Sequence, residues 1–197
     1  MAVDCSKTEA ASGVMLAAVL HSGDQSGDRL ISDIANNLKS QGYRVGGVIQ
    51  SNIMQPGQCR CDMVLEELIS GQTIPISQNL GNQSAGCRLD PSALEHVVGL
   101  VETSVRNGVE MLVLNKFGNQ EAEGKGLRTA IAMAVDANIP VLVGLNRANI
   151  EAWNDFCGGE GQLLDPCTAD VEHWLRSSLQ AARHLQQVTD NDRGMSV

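Results

Sequence analysis

The sequence is short of positive charge. Its 14 Lys and Arg stand against 23 Asp and Glu, a formal net charge of −9 at pH 7, and no run of basic residues repairs the deficit. Nucleic acid is excluded as a partner on that ground, because binding a phosphate backbone needs a basic face to displace its counterions. Long apolar runs are missing as well. The longest, near residues 14–20, 111–114 and 139–145, fall far short of the roughly 20 residues that a membrane-spanning helix requires. The amino terminus has no basic segment followed by an apolar signal core, so the expected location is the cytoplasm. Cysteine is present, 6 residues in all, but not at metal-site spacing. Cys59 and Cys61 form a C-x-C pair with Cys87 further on, whereas zinc sites favour C-x2-C with a matching histidine pattern. A three-thiolate site and small core or loop fillers both remain open for them, with no metal expected and the thiols reduced.

What is there fits one α/β domain. A chain of 197 residues can bury a single large core. Residues 1–13 and 188–197 are polar and aperiodic, which predicts a disordered amino terminus and a flexible carboxyl terminus around a domain at 14–187. Residues 14–20 are apolar throughout, as in a strand buried on both faces of a parallel sheet. Leu30, Ile31, Ile34, Ala35 and Leu38 then recur at helical spacing before Gly42, and "RVGGVIQ" supplies the next strand. The pieces flanking Ser70-Gly71-Gln72 predict a hairpin or two edge strands. Asp90-Pro91 opens a helix with Leu94, Val97, Val98, Val101 and Val105 on one face. "EMLVLN" and "IPVLVGL" are further buried strands around a helix bearing Leu127, Ala130, Ile131, Ala134 and Val135. Two more helices follow, near residues 150–156 and through Val171, Trp174, Leu175, Ser178 and Ala182. Such alternation predicts a mainly parallel sheet covered on both faces.

In such a sheet ligands bind at the carboxyl edge, so chemistry is expected at residues 21–28, 50–52, 115–125 and 146–147. The first of these, "HSGDQSGDR", has the order of a phosphate-gripping loop without its parts. A Walker loop needs two glycines four residues apart and then Lys and Ser or Thr. Here Gly23 and Gly27 are separated by only three residues, with Asp28 where Lys would stand and Arg29 at the hydroxyl position. Two readings remain: a Ser26 or Asp28 helix cap, or a shortened nest of N–H groups for a small oxyanion.

The strand "LVLN" ends in Asn115 where a hydrolysing P-loop protein would use Asp to help hold magnesium. Asn115-Lys116 begins an N-K-x-D guanine motif, but Gly118 occupies its Asp position. In "NQEAEGKGLR", Gly124 and Gly126 with Lys125 and Arg128 make a second candidate anion site at a helix start. Glu121 and Glu123 could act there as a general base, bind a cation, or simply be solvated first-turn residues. Arg88 and Arg147 add fork-shaped donors suited to oxyanions.

The combination "VGGVIQ", "CDMVLEEL", "GCRLD", "LVLNKFGNQEAEGKGLR" and "IEAWNDF" resembles the bacterial family catalogued as domain of unknown function 2478. The resemblance covers nearly the whole ordered chain. That family is similar at a distance to small P-loop nucleoside-triphosphatases and is often associated with molybdenum transport and molybdenum-enzyme gene clusters. It implies a three-layer P-loop-like fold with a hairpin insertion and a link to molybdate handling. Two functions follow as expectations. One is an accessory protein binding molybdate or a related oxyanion through Gly23, Ser26, Gly27, Arg88, Asn115, Lys116, Gly124, Lys125, Gly126 and Arg128, without efficient hydrolysis. The other is an enzyme acting on a magnesium nucleotide, with Glu121 or Glu123 as base. A homo-oligomer or a protein partner fits either.

Overall fold

The computed structural model describes residues 15–21, 25–53, 62–78 and 89–194. Strand β1 (Leu16–His21) leads into helix α1 (Gln25–Ser40) and strand β2 (Val45–Ile53), and β3 (Asp62–Glu67) and β4 (Thr73–Pro75) follow. Then come α2 (Pro91–Arg106), β5 (Met111–Phe117), a one-turn helix α3 (Asn119–Ala122), α4 (Arg128–Asp136) and β6 (Val141–Asn146). A 3-10 turn at Arg147–Asn149, α5 (Ile150–Cys157), β7 (Gln162–Leu164) and α6 (Thr168–Gly194) complete the order.

All the strands join one 7-stranded sheet of order β4-β3-β2-β5-β6-β1-β7. The four apolar segments read from the sequence form its parallel centre: β1 pairs with β6, β6 with β5 and β5 with β2. The hairpin is an antiparallel extension of one edge, β2 to β3 and β3 to β4. Its turn is held by buried Glu67, whose carboxylate accepts the N–H groups of Ile69 and Ser70 and the Ser70 hydroxyl at 2.7–3.1 Å.

The parallel strands are apolar without alternation because both of their faces are covered. Successive residues therefore feed two cores. Ala18, Leu20, Leu112 and Leu114 face a layer with Val97, Val101, Ile131 and Trp153 from α2, α4 and α5. Ala17, Val19, Met111 and Val113 face Ile31, Ala35, Trp174 and Leu179 from α1 and α6. The fold is thus a three-layer, mainly parallel α/β architecture with a hairpin insertion.

The helix boundaries follow their caps. The Asp90 carboxylate accepts the N–H groups of Ser92 and Ala93 at 3.0 and 3.2 Å, with Pro91 at the first helical position, where its missing N–H costs nothing. At the end of α1 the Tyr43 N–H returns to the Leu38 carbonyl across Gly42.

The edge strand β7, parallel to β1, was not expected, because three residues are too few to display a period. Helix α6 runs on to Gly194. No proline interrupts that segment and no glycine precedes Gly194, so nothing in the backbone stops the helix earlier. The expected amino-terminal tail, residues 1–13, lies outside the described residues. No helix among the described residues is long and apolar enough to cross a membrane.

Candidate functional site

The carboxyl ends of β1, β2, β5 and β6 open on one cavity of about 460 Å³, within the usual range for small-ligand sites. Its polar lining consists of His21 from β1, Asp28 from α1, Gln50 and Asn52 from β2, Asn115 and Lys116 from β5, Asn119, Gln120 and Glu121 from α3, and Asn146 and Asn149 after β6. Val48, Met63, Leu65, Ile76, Leu89, Leu94, Phe117 and Leu127 line it as well, with Leu65 and Met63 beside Gln50 and Asn52 in the β2–β3 ladder. The hairpin thus contributes directly to the lining.

Asn115 sits at its floor, only 2% exposed. Its side-chain oxygen accepts the Gln50 N–H at 2.9 Å, while its amide nitrogen donates to the Gln50 carbonyl at 3.1 Å and reaches the Asp28 carboxylate at 3.5 Å. The regular pairing of β2 with β5 ends at Val48 and Leu114, and the Asn115 amide takes over the next peptide group of β2. That demands one donor and one acceptor on the same side chain, which a carboxylate cannot provide. The residue at this strand end therefore ties β5, β2 and α1 together.

The opening loop divides between what is described and what is not. Gly23 lies outside the described residues, and Ser26 lies in the first turn of α1 with its side chain outside them. Gly27 is buried in that turn, and a Cβ there would meet Cβ and Cγ of His21 at 2.5 Å. Its lack of a side chain lets α1 lie against the end of β1. Asp28 lines the cavity from the first turn of α1, where a negative charge suits the helix dipole. It also places a carboxylate where a polyphosphate grip would need a cation.

The second candidate anion site is filled from within the chain. Glu121 is 6% exposed, and its two carboxylate oxygens accept the Gly118 N–H at 2.9 Å and the Leu127 N–H at 3.0 Å. Gly126 makes room for it: φ is +61°, and a Cβ would meet the Glu121 carboxylate. The glycine loop before α4 is thus an anion nest whose anion is Glu121.

Its flanking cations point elsewhere. Lys125 is exposed and lies 3.5 Å from exposed Glu123. The Arg128 guanidinium donates to the Glu121 carbonyl at 3.3 Å and stacks 4.6 Å from the centre of the Phe156 ring, fastening α4 to α5. Gly124, Lys125, Gly126 and Arg128 do not line the cavity. Arg147 faces Asp165 at 3.7 Å on the surface. Arg88, Cys59, Cys61 and Cys87 lie outside the described residues.

Of the residues singled out from the sequence, Asn115, Lys116 and Glu121 come together here, joined by Asp28. Lys116 is the only Lys or Arg among the described lining residues. Some of the remaining amides are half engaged. The Asn52 oxygen accepts from the Gln50 amide at 3.1 Å, and the Asn146 oxygen accepts the Ala148 N–H at 2.9 Å, so both keep N–H donors. Among the described residues, the side chains of Lys116, Asn119 and Gln120 make no hydrogen bond or ion pair. Asn119 and Gln120 fall within the 115–125 exit, but neither was singled out from the sequence. Their signal was the density of carboxamides at strand exits, which acquires meaning once the sheet order makes those exits neighbours.

Comparison with known proteins places this geometry in context. Residues 16–174 match the family described as protein of unknown function (DUF2478). A molybdenum import ATP-binding protein, ModC 2 of Bradyrhizobium diazoefficiens, is 34% identical over 175 residues, 89% of this chain. The chain spans only 20% of the length of that relative. The solution structure of a human cancer-related nucleoside triphosphatase superposes with a TM-score of 0.59 over 86% of this chain and 97% of that one, at 16% identity. The fold is P-loop-like, and the chain belongs to the DUF2478 family.

Proposed function

We propose that this family member is an accessory protein that binds a small oxyanion at the carboxyl edge of a degenerate P-loop-like fold, in the service of molybdate handling, and that it does not hydrolyse nucleotides efficiently. The observation that carries the reading is Asn115. At the strand end where a magnesium-holding carboxylate would be needed, the chain has a buried amide committed to the backbone of β2. Asp28 adds a negative charge to the same cavity. Such a cavity is poor at gripping magnesium triphosphate. It retains N–H donors on Asn52 and Asn146 and the ammonium of Lys116, a set that can surround a compact oxyanion. Similarity to a molybdenum import ATP-binding protein supports molybdate as the first ligand to test.

The test is a thermal-shift panel of molybdate, tungstate, sulfate, phosphate, ATP and GTP, with and without magnesium. A ligand specific for the folded state at a hundred times its dissociation constant adds about 2.7 kcal/mol, readily seen as a raised Tm. Stabilisation by molybdate or tungstate with ATP and GTP silent is the expected result. ATP or GTP turnover of about one per second or more, the ordinary enzymatic range, would overturn the reading in favour of a nucleotide-hydrolysing enzyme.

A further inference from the structure

We infer that two copies of this chain pair through the layer of α1 and α6, the end of α6 from each copy lying in a groove of the other. The inference does not depend on the oxyanion reading. Helix α6 has 27 residues, about 40 Å of helix, against about 20 Å for a six-residue strand such as β1. It outruns the sheet it covers. Arg183, 3.5 Å from Glu110 and stacked 5.0 Å from the centre of the Tyr43 ring, ties α6 to the domain, and from there to Val188 every residue is exposed. A helical extension as short as residues 184–194 is marginal in water by itself, because helices of that length owe their stability to packing. Its apolar stripe shows which side is to be packed. Ala182 is buried, and Leu185 and Val188 continue the stripe at three-residue steps while 40% and 48% exposed.

The same helix supplies the groove. Helix α1 joins two parallel strands, and α6 turns back from β7 through residues 165–167, so the two helices run side by side in one direction. Between them lies a groove of about 880 Å³. Leu30, Ile34, Val171 and Leu175 line it, the first two only partly buried, as suits the apolar row of a further helix. A two-fold axis pairing α6 with its copy antiparallel about residue 180 sets Leu185 at the level of Leu175 and Val188 at the level of Glu172, and symmetry repeats each contact. Charge favours a second copy as the occupant. The groove carries Asp33 and Glu172 against Arg176 and Arg183, a balanced face on a chain of net charge −9, and antiparallel pairing turns the Arg183 end of each α6 towards the Glu172 end of the other. Asp33, Glu172 and Arg176 have no ion-pair partner among the described residues. The chain's own first residues are a poorer occupant, since Met15 lies at the groove of α4 and α5 in the other helical layer.

Sedimentation velocity of the full chain over a concentration series, beside hydrogen exchange, decides this. At micromolar concentration the parent should sediment as a dimer of the 21.0 kDa chain, with the amides of residues 185–194 protected in proportion to the dimer present. Leu185→Asp combined with Val188→Asp should raise the dissociation constant about a hundredfold or more, since each substitution enters the interface twice. Arg176→Glu, exposed on the rim beside Glu172, should raise it about tenfold by leaving the groove acidic. The near-ultraviolet circular dichroism of buried Trp153 and Trp174 should stay as in the parent, because none of the three positions lies in the core. A monomer at every concentration, or a dimer that the Leu185 and Val188 changes leave intact, would overturn the inference. A loss on changing Leu185 and Val188 with none on Arg176→Glu would place the helix end outside the groove and refute it as well.

Discussion

Replacing Asn115 with Asp would restore, on paper, the carboxylate that a magnesium-dependent triphosphatase needs, and the structure predicts that it damages the protein instead. The new carboxylate would still accept the Gln50 N–H. It would then set a negative oxygen against the Gln50 carbonyl, 3.1 Å away, and against the Asp28 carboxylate, 3.5 Å away. Losing the donor to a buried carbonyl costs about 1–3 kcal/mol. Two unit charges at that separation repel by roughly 5 kcal/mol at an effective dielectric constant of 20. Asp28 is half-buried, so solvent screening leaves about half of that or less. A loss of about 3–5 kcal/mol is therefore expected at pH 7, read as a lower urea midpoint at unchanged slope.

The pH dependence supplies a second check. Burial beside another carboxylate raises the folded-state pKa of the introduced acid above its unfolded value of roughly 3.9. The folded variant then binds more protons than its unfolded chain between the two values. Its deficit is full above the raised folded pKa and shrinks as pH falls towards the unfolded value. The comparison is with the parent at each pH, because other carboxylates titrate in the same range. A variant within about 0.5 kcal/mol of the parent at pH 7, the usual range for a surface change that touches nothing special, would refute the structural role assigned to Asn115.

Three further outcomes follow from the same geometry. Glu121→Ala strips two loop N–H groups of their acceptor and should cost about 3 kcal/mol, with Glu121→Gln intermediate; an unaltered unfolding midpoint for Glu121→Ala would show that the nest does not need its internal anion. Gly27→Ala drives a Cβ into His21, an overpacking that should cost about 1–3 kcal/mol and lower the Tm by several degrees; a melting curve superposable on the parent's would contradict that packing. Lys116→Ala should weaken oxyanion binding about tenfold, on the scale of one charge-assisted hydrogen bond, while Lys125→Ala leaves it unchanged; calorimetry giving the opposite order would move the site to the loop before α4.

The sequence by itself determined the parallel centre of the sheet. Residues such as Ala17 and Ala18 or Met111 and Leu112 are apolar side by side because each faces a different helical layer, and an unbroken apolar run bounded by helical periods records that directly. It also determined the cap at Asp90, the hairpin turn and the polar character of the strand exits, all of which depend on local chemistry. Tertiary structure decided what those exits do. Whether Gly124 and Gly126 cradle a ligand or a side chain depends on where Glu121 turns, and a carboxylate a few residues away along a one-turn helix reaches the nest before any solute can. Lys116 and Lys125 look equivalent in the string, yet one lines the cavity and the other lies on the surface beside Glu123. Asn115 reads as a missing aspartate until β2 is found beside it, because its amide is matched to a peptide group 65 residues away in the chain. Such pairings depend on strand order and register, which no local pattern of residues encodes.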